Sequence, residues 1–215
     1  MNHVRSIILG APGSGKGTIS DRIIKNFVIK HISSGDILRS NIANKTDLGK
    51  TVSSYVSSGM LVPDEVMNTL IQNELTQYKE SWLLDGYPRT LPQAQKLAES
   101  VDITLVINLV VPFNVIIDRL KSRWIHEPSG RVYNIGFNDP KVPGLDDITN
   151  EKLVQREDDK PAVVQNRLNT YATNANPVIE FFKAKGVLET FQGESSNEIW
   201  KKLYPFLCHK LEKRA

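Results

Sequence analysis

Short apolar runs alternate with helical periodicities along most of the chain. Residues 4–9 are a continuous apolar run and predict a buried strand. Residues 15–26 read as a helix, followed by a short strand ending near Ile32. Ser33 or Ser34 is placed to cap the next helix, with Asp36 in its first turn. Helical patterning runs to about residue 58 with a break near 47–49, and 59–64 is a connector. Pro63-Asp64 opens a helix to about residue 77. Residues 82–85 form an apolar strand ending in Asp85, and 104–111 a strand buried on both faces that Pro112 ends. A helix is expected over 113–123, with Arg119 and Arg123 four residues apart on one face. Lys160-Pro161 starts a long helix with its stripe at Val164, Leu168, Tyr171, Ala175, Val178 and Phe182. Gly186 stops it, 187–191 is a last strand, and 196–209 a last helix.

Strands alternating with helices predict an α/β fold, a parallel sheet flanked by helices, with ligands at the carboxyl ends of the strands. Residues 124–160 break the pattern, because aromatics, Pro, Gly and Asp alternate there without helical periodicity. A segment this long inside one domain reads as a lid. A chain of 215 residues is one domain or one core with insertions. Its net charge of +3 suits a phosphate-rich ligand and is too dispersed to argue for nucleic acid. No apolar run approaches the ~20 residues of a membrane span, so no membrane partner is expected. Met1-Asn2-His3-Val4-Arg5-Ser6 has no secretory apolar segment, and no cleavable presequence is expected. The single cysteine, Cys208, excludes an internal disulfide and a Cys-rich zinc site.

The chemistry starts after the first strand, at Gly10-Ala11-Pro12-Gly13-Ser14-Gly15-Lys16-Gly17-Thr18. Strand, Gly-rich loop and helix together make a phosphate cradle. Lys16 is spaced to reach a terminal phosphate. Gly17 stands where a metal-binding hydroxyl is usual, so Thr18 is not expected to ligate a metal directly and an acidic residue must help. Asp85, at the end of a buried strand, is the candidate for Mg²⁺ and its waters. Tyr87-Pro88 is a candidate cis bond, and Arg89 follows it into the same crevice. Lys16, Arg89, Arg119, Arg123, Arg156 and Arg167 form a large cationic set. No Ser-His-Asp or Cys-His arrangement accompanies them. That combination points to phosphoryl transfer, with a lid excluding water. A nucleotide-operated switch is the rival class. Its guanine-reading pattern occurs as Asn44-Lys45-Thr46-Asp47, too soon after the phosphate loop to carry weight. A shikimate- or gluconate-type kinase lacks a reason for Asp85-Gly86-Tyr87-Pro88-Arg89.

The phosphate loop, Ser34-Gly35-Asp36 with Leu38-Arg39, Asp85-Gly86-Tyr87-Pro88-Arg89-Thr90 with Gln93, and Ser129-Gly130-Arg131-Val132-Tyr133 resemble the adenylate kinases over essentially the whole chain. Within that family, residues 124–134, 155–161 and 186–191 are most similar to the mitochondrial-matrix branch that uses GTP. The resemblance implies a P-loop nucleoside monophosphate kinase with a five-stranded parallel sheet. Its core would be 1–32, 63–123 and 162–215, its AMP-binding region 33–62 and its lid 124–161. It implies Mg²⁺-dependent transfer from GTP, ITP or ATP to AMP, a general ATP:AMP enzyme being the alternative. Its partners would be these nucleotides with ADP and GDP, and it would be a monomer in the mitochondrial matrix.

The resemblance also assigns roles. Gly13, Ser14, Gly15, Lys16, Gly17 and Thr18 would cradle the donor, with Arg119, Arg123, Val132, Tyr133 and Ser196 facing it. Ser34, Arg39, Met60, Leu61, Val62, Gly86, Tyr87, Pro88, Arg89 and Gln93 would hold AMP. Arg156 and Arg167 would bridge the transferring group, Asp85 would hold Mg²⁺ through water, and Asp158 and Asp159 would help close the lid. Some members place four zinc-binding cysteines in the lid. Here that spacing reads His126, Ser129, Asp146 and Thr149, a poor zinc site, and the four are expected to hydrogen-bond one another without a structural metal.

Overall fold

The computed structural model describes residues 3–136 and 138–214. Met1, Asn2 and Ala215, at the ends of the expected core, and Phe137 of the expected lid lie outside the described residues. Five strands form one parallel sheet: β1 (Arg5–Gly10), β2 (Lys30–Ser33), β3 (Trp82–Asp85), β4 (Leu105–Val110) and β7 (Leu188–Gln192). Their order is β2-β3-β1-β4-β7, with β1 in the centre. Side chains alternate across it, as the two-residue strand period requires. Ile8, Leu83, Ile107 and Leu109 join one core layer, and Ile7, Leu9, Leu84 and Val106 the other.

Helices α1 (Lys16–Asn26), α6 (Phe113–Lys121) and α8 (Ser196–Cys208) cover the first layer through Ile19, Ile23, Ile116, Leu120, Ile199 and Leu203. Helices α4 (Asp64–Leu75) and α5 (Leu91–Ser100) cover the second through Met67, Ile71 and Leu97. The long helix α7 (Pro161–Ala184) serves both. Val164 and Leu168 pack in the first layer, Val178 and Phe182 in the second. Its single predicted stripe therefore spans the sheet end where ligands gather.

α2 (Ser34–Ala43) is capped by Ser33, whose hydroxyl accepts from the Asp36 N–H. α3 (Asp47–Ser58) is capped by Thr46. The break between them falls at 44–46, slightly before the expected 47–49, because the Thr46 cap puts Asp47 inside the helix. Asn44 and Thr46 are capping residues here, which accounts for the switch-like letters.

One expectation is corrected. Helix α6 ends at Lys121, so Arg119 and Arg123 do not share a helical face. Arg123 opens β5 (Arg123–His126), which pairs antiparallel with β6 (Arg131–Asn134). Trp124 faces Tyr133 and Ile125 faces Val132, cross-strand pairs that a longer helix would forfeit. Neither arginine forms a solvated basic face, since Arg119 is only 9% exposed and the Arg123 side chain 14%. The sequence pattern predicted only a non-helical segment over 124–160. The structure builds it on this hairpin, further bridges at Ile125–Val154 and Leu145–Lys152, and a 3-10 turn at Glu157–Asp159.

Candidate active site

The phosphate loop leaves the centre of the sheet at Gly10. Gly15 precedes α1 with φ +88°, and a Cβ there would lie 2.7 Å from Ser196 Oγ. Glycine is required on both counts, conformation and close approach. The first N–H groups of α1 have no intrahelical acceptor and face the loop's concavity. Lys16, the first residue of α1, folds its ammonium back to donate to Gly10 O (2.8 Å) and Ala11 O (3.0 Å). Burial lowers its pKa from 10.5 to about 8. Asp85 opposes that shift, while Arg89, Arg167 and Arg123 add to it.

Asp85 ends β3 opposite Ile8 of β1 and Ser33 of β2. Its carboxylate lies 3.8 Å from His31 Nε2. Burial works against charge on His31, but Asp85, then Asp21 and Asp36, raise its pKa above the usual value. One recessed carboxylate beside a phosphate cradle is the kind of donor set Mg²⁺ uses, with phosphates and water as its other ligands.

Past β3, Tyr87-Pro88 is cis. The Arg89 guanidinium donates to Gly86 O at 2.7 Å and has no carboxylate partner among the described residues. The backbone N–H of Arg89 donates to Gln93 Oε1 (2.7 Å), and Gln93 Nε2 donates to Asp64 Oδ1 (2.7 Å). Gln93, expected at AMP, is 2% exposed and serves as a strut holding Arg89 to α4. Ser34 is fully buried, and its hydroxyl has no partner among the described residues. A Cβ on Gly86 would lie 2.6 Å from it, so the two expected AMP residues are adjacent. Arg39 pairs with Asp36. Met60 is exposed and Val62 buried, while Leu61 lines the central cavity.

A second group comes from residues 123–159 and α7. Arg123 is paired with Asp159. Arg156 Nε and Nη2 reach Asp158 at 2.8 and 2.5 Å. Arg167 Nη1 bridges both, 3.0 Å from Asp158 and 3.4 Å from Asp159. Burial alone would raise the Asp158 pKa, but Arg156 and Arg167 hold it well below the usual carboxylate range. Burial lowers Arg167 to about 10, with Asp158 opposing and its fellow arginines assisting. Two carboxylates thus hold three arginines of the predicted set together. A cavity of about 100 Å³ joins the groups, lined by Gly10, Lys16, Leu61, Gly86, Arg89 and Arg167.

On the other side of the loop, Arg119 donates to Gly13 O (3.4 Å) and Glu194 O (2.7 Å), tying the loop to the start of α8. Ser196 is 7% exposed there. Of the two lid residues expected at the donor, Val132 is exposed. Tyr133 is buried inside the lid, and its hydroxyl donates to Asp146 at 2.9 Å.

The four lid positions lie together. His126 Nδ1 is 2.7 Å from Ser129 Oγ, Thr149 Oγ1 is 3.3 Å from His126 Nε2, and it donates to Asp146 at 3.1 Å. Sequence reasoning missed their strongest partners. Arg131 grips Asp146 with bonds of 2.7 and 2.6 Å, and Glu151 meets His126 Nε2 at 2.5 Å. Arg131 holds the Asp146 pKa well below the usual range. The hairpin register supplies the missing signal, since it sets Arg131 directly opposite His126. No group of three or more His, Cys, Asp or Glu suited to a metal occurs among the described residues.

The family profile described as "Adenylate kinase" matches residues 8–187. A *Drosophila melanogaster* protein named "GTP:AMP phosphotransferase, mitochondrial" is 53% identical over 208 residues, covering 96% of each chain. A *Saccharomyces cerevisiae* protein of the same name is 42% identical, covering 96% of this chain and 93% of its own. An "Adenylate kinase" of *Staphylococcus epidermidis* is 41% identical, covering 94% of this chain and 98% of its own.

Proposed function

The chain belongs to the adenylate kinase family, and on that premise we propose that it transfers a phosphoryl group reversibly from a nucleoside triphosphate to AMP, with GTP preferred over ATP and ITP also used. The observation that carries this reading is the single cavity onto which Lys16, Arg89 and Arg167 open, between the phosphate loop and the Gly59–Leu61 connector. It supports two anionic ligands meeting end to end.

The acceptor is itself a phosphate, already deprotonated, so no general base is needed. The work is positioning and charge neutralisation. Arg89, braced by Gln93, would orient the AMP phosphate. Lys16 would leave its two backbone carbonyls for the donor's terminal phosphates. Arg123, Arg156 and Arg167 would trade Asp158 and Asp159 for the transferring group as the lid closes, and water would be excluded. Gly13, Ser14, Gly15, Gly17 and Thr18 would cradle the donor. Ser34, Arg39, Met60, Leu61, Val62, Gly86, Tyr87 and Pro88 would shape the AMP side. Mg²⁺ held through water at Asp85 would neutralise donor phosphate charge. In this reading residues 33–62 bind AMP, 124–161 form the lid, and the remainder is the core.

Donor preference draws support from the start of α8. The carbonyls of Glu194, Ser195 and Ser196 already accept from Arg119, Ile199 and Arg22. The Glu198 N–H is capped by the Ser195 hydroxyl at 3.1 Å, which leaves the N–H groups of Ser196 and Asn197 and the Ser196 hydroxyl as donors without an acceptor among the described residues. That pattern suits a 6-oxo purine, which needs a donor at position six, over a 6-amino purine, which needs an acceptor. The relatives' names support a mitochondrial place, and the reading takes the compartment as the matrix and the enzyme as a monomer. The test is ADP formation from AMP with GTP, ITP and ATP in parallel and Mg²⁺ present. GTP and ITP are expected to outpace ATP. A preference for ATP overturns the donor assignment, and no transfer from any donor overturns the enzyme.

A further inference from the structure

Lys16 is arranged as an amine as well as a cation. Its Nζ donates to two carbonyls, Gly10 O and Ala11 O, at 2.8 and 3.0 Å. A neutral amine has two hydrogens, so both bonds survive loss of the third proton and the lone pair is left for the cavity that Lys16 lines. That cavity, about 100 Å³, is walled by Pro12, Tyr87, Pro88 and Tyr171 beside the polar groups, and a three-atom electrophile fits within it. The charged groups that act on the Lys16 amine from neighbouring elements are Arg89, Arg123 and Arg167 against one carboxylate, Asp85. Asp158 and Asp159 already bridge Arg123 and Arg167, whereas Arg89 has no carboxylate partner among the described residues.

We propose that carbon dioxide reversibly carbamylates Lys16 when the phosphate loop holds no nucleotide. The nitrogen lone pair attacks the carbon of CO₂, and one C–O π pair moves onto oxygen. The nitrogen then loses a proton to solvent, so that R–NH₂ and CO₂ give R–NH–CO₂⁻ and H⁺ with no change of oxidation state, and the one N–H that remains keeps one of the two carbonyl bonds while the other is given up. The new carboxylate takes the place of a substrate anion in a cavity that Arg89 also lines, beside the N-terminus of α1 that Lys16 opens. Burial lowers the Lys16 pKa to about 8, so near that pH a large fraction of the amine is free to react. The modification replaces the cation that would meet the donor's terminal phosphates with an anion. Carbon dioxide therefore acts as an inhibitor of the empty enzyme, and bound nucleotide protects it.

The test incubates the full chain at pH near 8 and constant ionic strength with isotopically labelled bicarbonate and CO₂. A trialkyloxonium salt traps the carbamates as esters, and peptides are read by mass spectrometry. Three arms are run: protein alone, protein with a bisubstrate mimic of two nucleosides joined by a pentaphosphate chain, and K16R alone. Label at Lys16 in the first arm, and none there in the second, is expected, with K16R showing no label at that position. No label at Lys16 under conditions that label the chain's α-amine overturns the proposal. Equal label at Lys16 with and without the mimic also overturns it. Because the protection arm uses unmutated protein, the outcome survives any folding defect in K16R. The initial transfer rate after preincubation is expected to fall several-fold and to recover on degassing. That last readout rests on the kinase reading, whereas the label does not, so failure of the one is distinguishable from failure of the other.

Discussion

Gly15 and Lys16 are adjacent in the chain but carry different physical constraints. At Gly15 the backbone sits at φ +88° with Ser196 Oγ where a Cβ would stand. Gly15→Ala is expected to cost about 1–2 kcal/mol in backbone strain. It should raise KM for the triphosphate while leaving KM for AMP nearly unchanged, as initial-rate kinetics with each substrate varied will show. At Lys16 the constraint is charge. The group holds its proton with a pKa of about 8 folded against 10.5 unfolded. Between those values the unfolded chain binds more protons, so this group's contribution to stability rises with pH across that window. Below about pH 8 the full cost of burying the charge is present. Lys16→Met should therefore make the ligand-free protein more stable near pH 7, by on the order of 1–3 kcal/mol, while abolishing transfer. The gain should vanish above pH 10.5. Urea titration at both pH values measures it, and a variant less stable than the parent at neutral pH contradicts the account.

At the scale of elements, residues 123–159, the proposed lid, are the least conventional part of the chain. A hairpin, three isolated bridges and a 3-10 turn hold it, with Asp146 at its centre. That carboxylate accepts from Arg131, Tyr133 and Thr149 and from the N–H groups of Ile148 and Thr149. Its contribution is present above the ordinary value of 3.8 and is lost only as pH falls through the much lower folded value. Asp146→Ala should leave six donors without their acceptor, two of them on Arg131. Hydrogen exchange is expected to accelerate throughout 123–156, while protection in β1, β3 and β4 stays as in the parent. Loss of protection in the central strands as well would show that the lid is not a separate unit of stability. Some of this was readable in advance: length, aromatic content and absence of helical period set 124–160 apart from the helices on either side. The hairpin was not, because Lys121-Ser122-Arg123 fits the end of a helix as well as the start of a strand. Only the pairing of Trp124 with Tyr133 decides between them.

Across the whole molecule, residues far apart in sequence converge on one crevice. Lys16 from the helix after β1, Asp85 from β3, Arg89 beyond it, Arg123 and Arg156 from the lid and Arg167 from α7 are drawn together by the sheet order and by the span of α7 across both core layers. A ligand that engages all of them should stabilise core and lid together. The same bisubstrate mimic, at about a thousand times its Kd, is expected to add roughly 4 kcal/mol of stability. It should do so as one cooperative transition in calorimetry, and two separated transitions would mean that core and lid bind independently.

The chain's own pattern determined what local physics can determine. Glycine spacing set the phosphate loop, continuous apolar runs set the strands, a stripe in steps of four and three set α7, and a serine cap at 33 or 34 set the start of α2. It also identified the arginines as a class, since so many cations without a nucleophile or base leave little chemistry but charge neutralisation. Only the tertiary structure decided how those charges are balanced. That Asp158 and Asp159 bridge Arg123, Arg156 and Arg167, that Gln93 braces Arg89 against Asp64, and that Arg131 holds Asp146 all depend on contacts between distant segments. Such contacts form where folded elements meet in space, and one-dimensional periodicity carries no record of which faces meet.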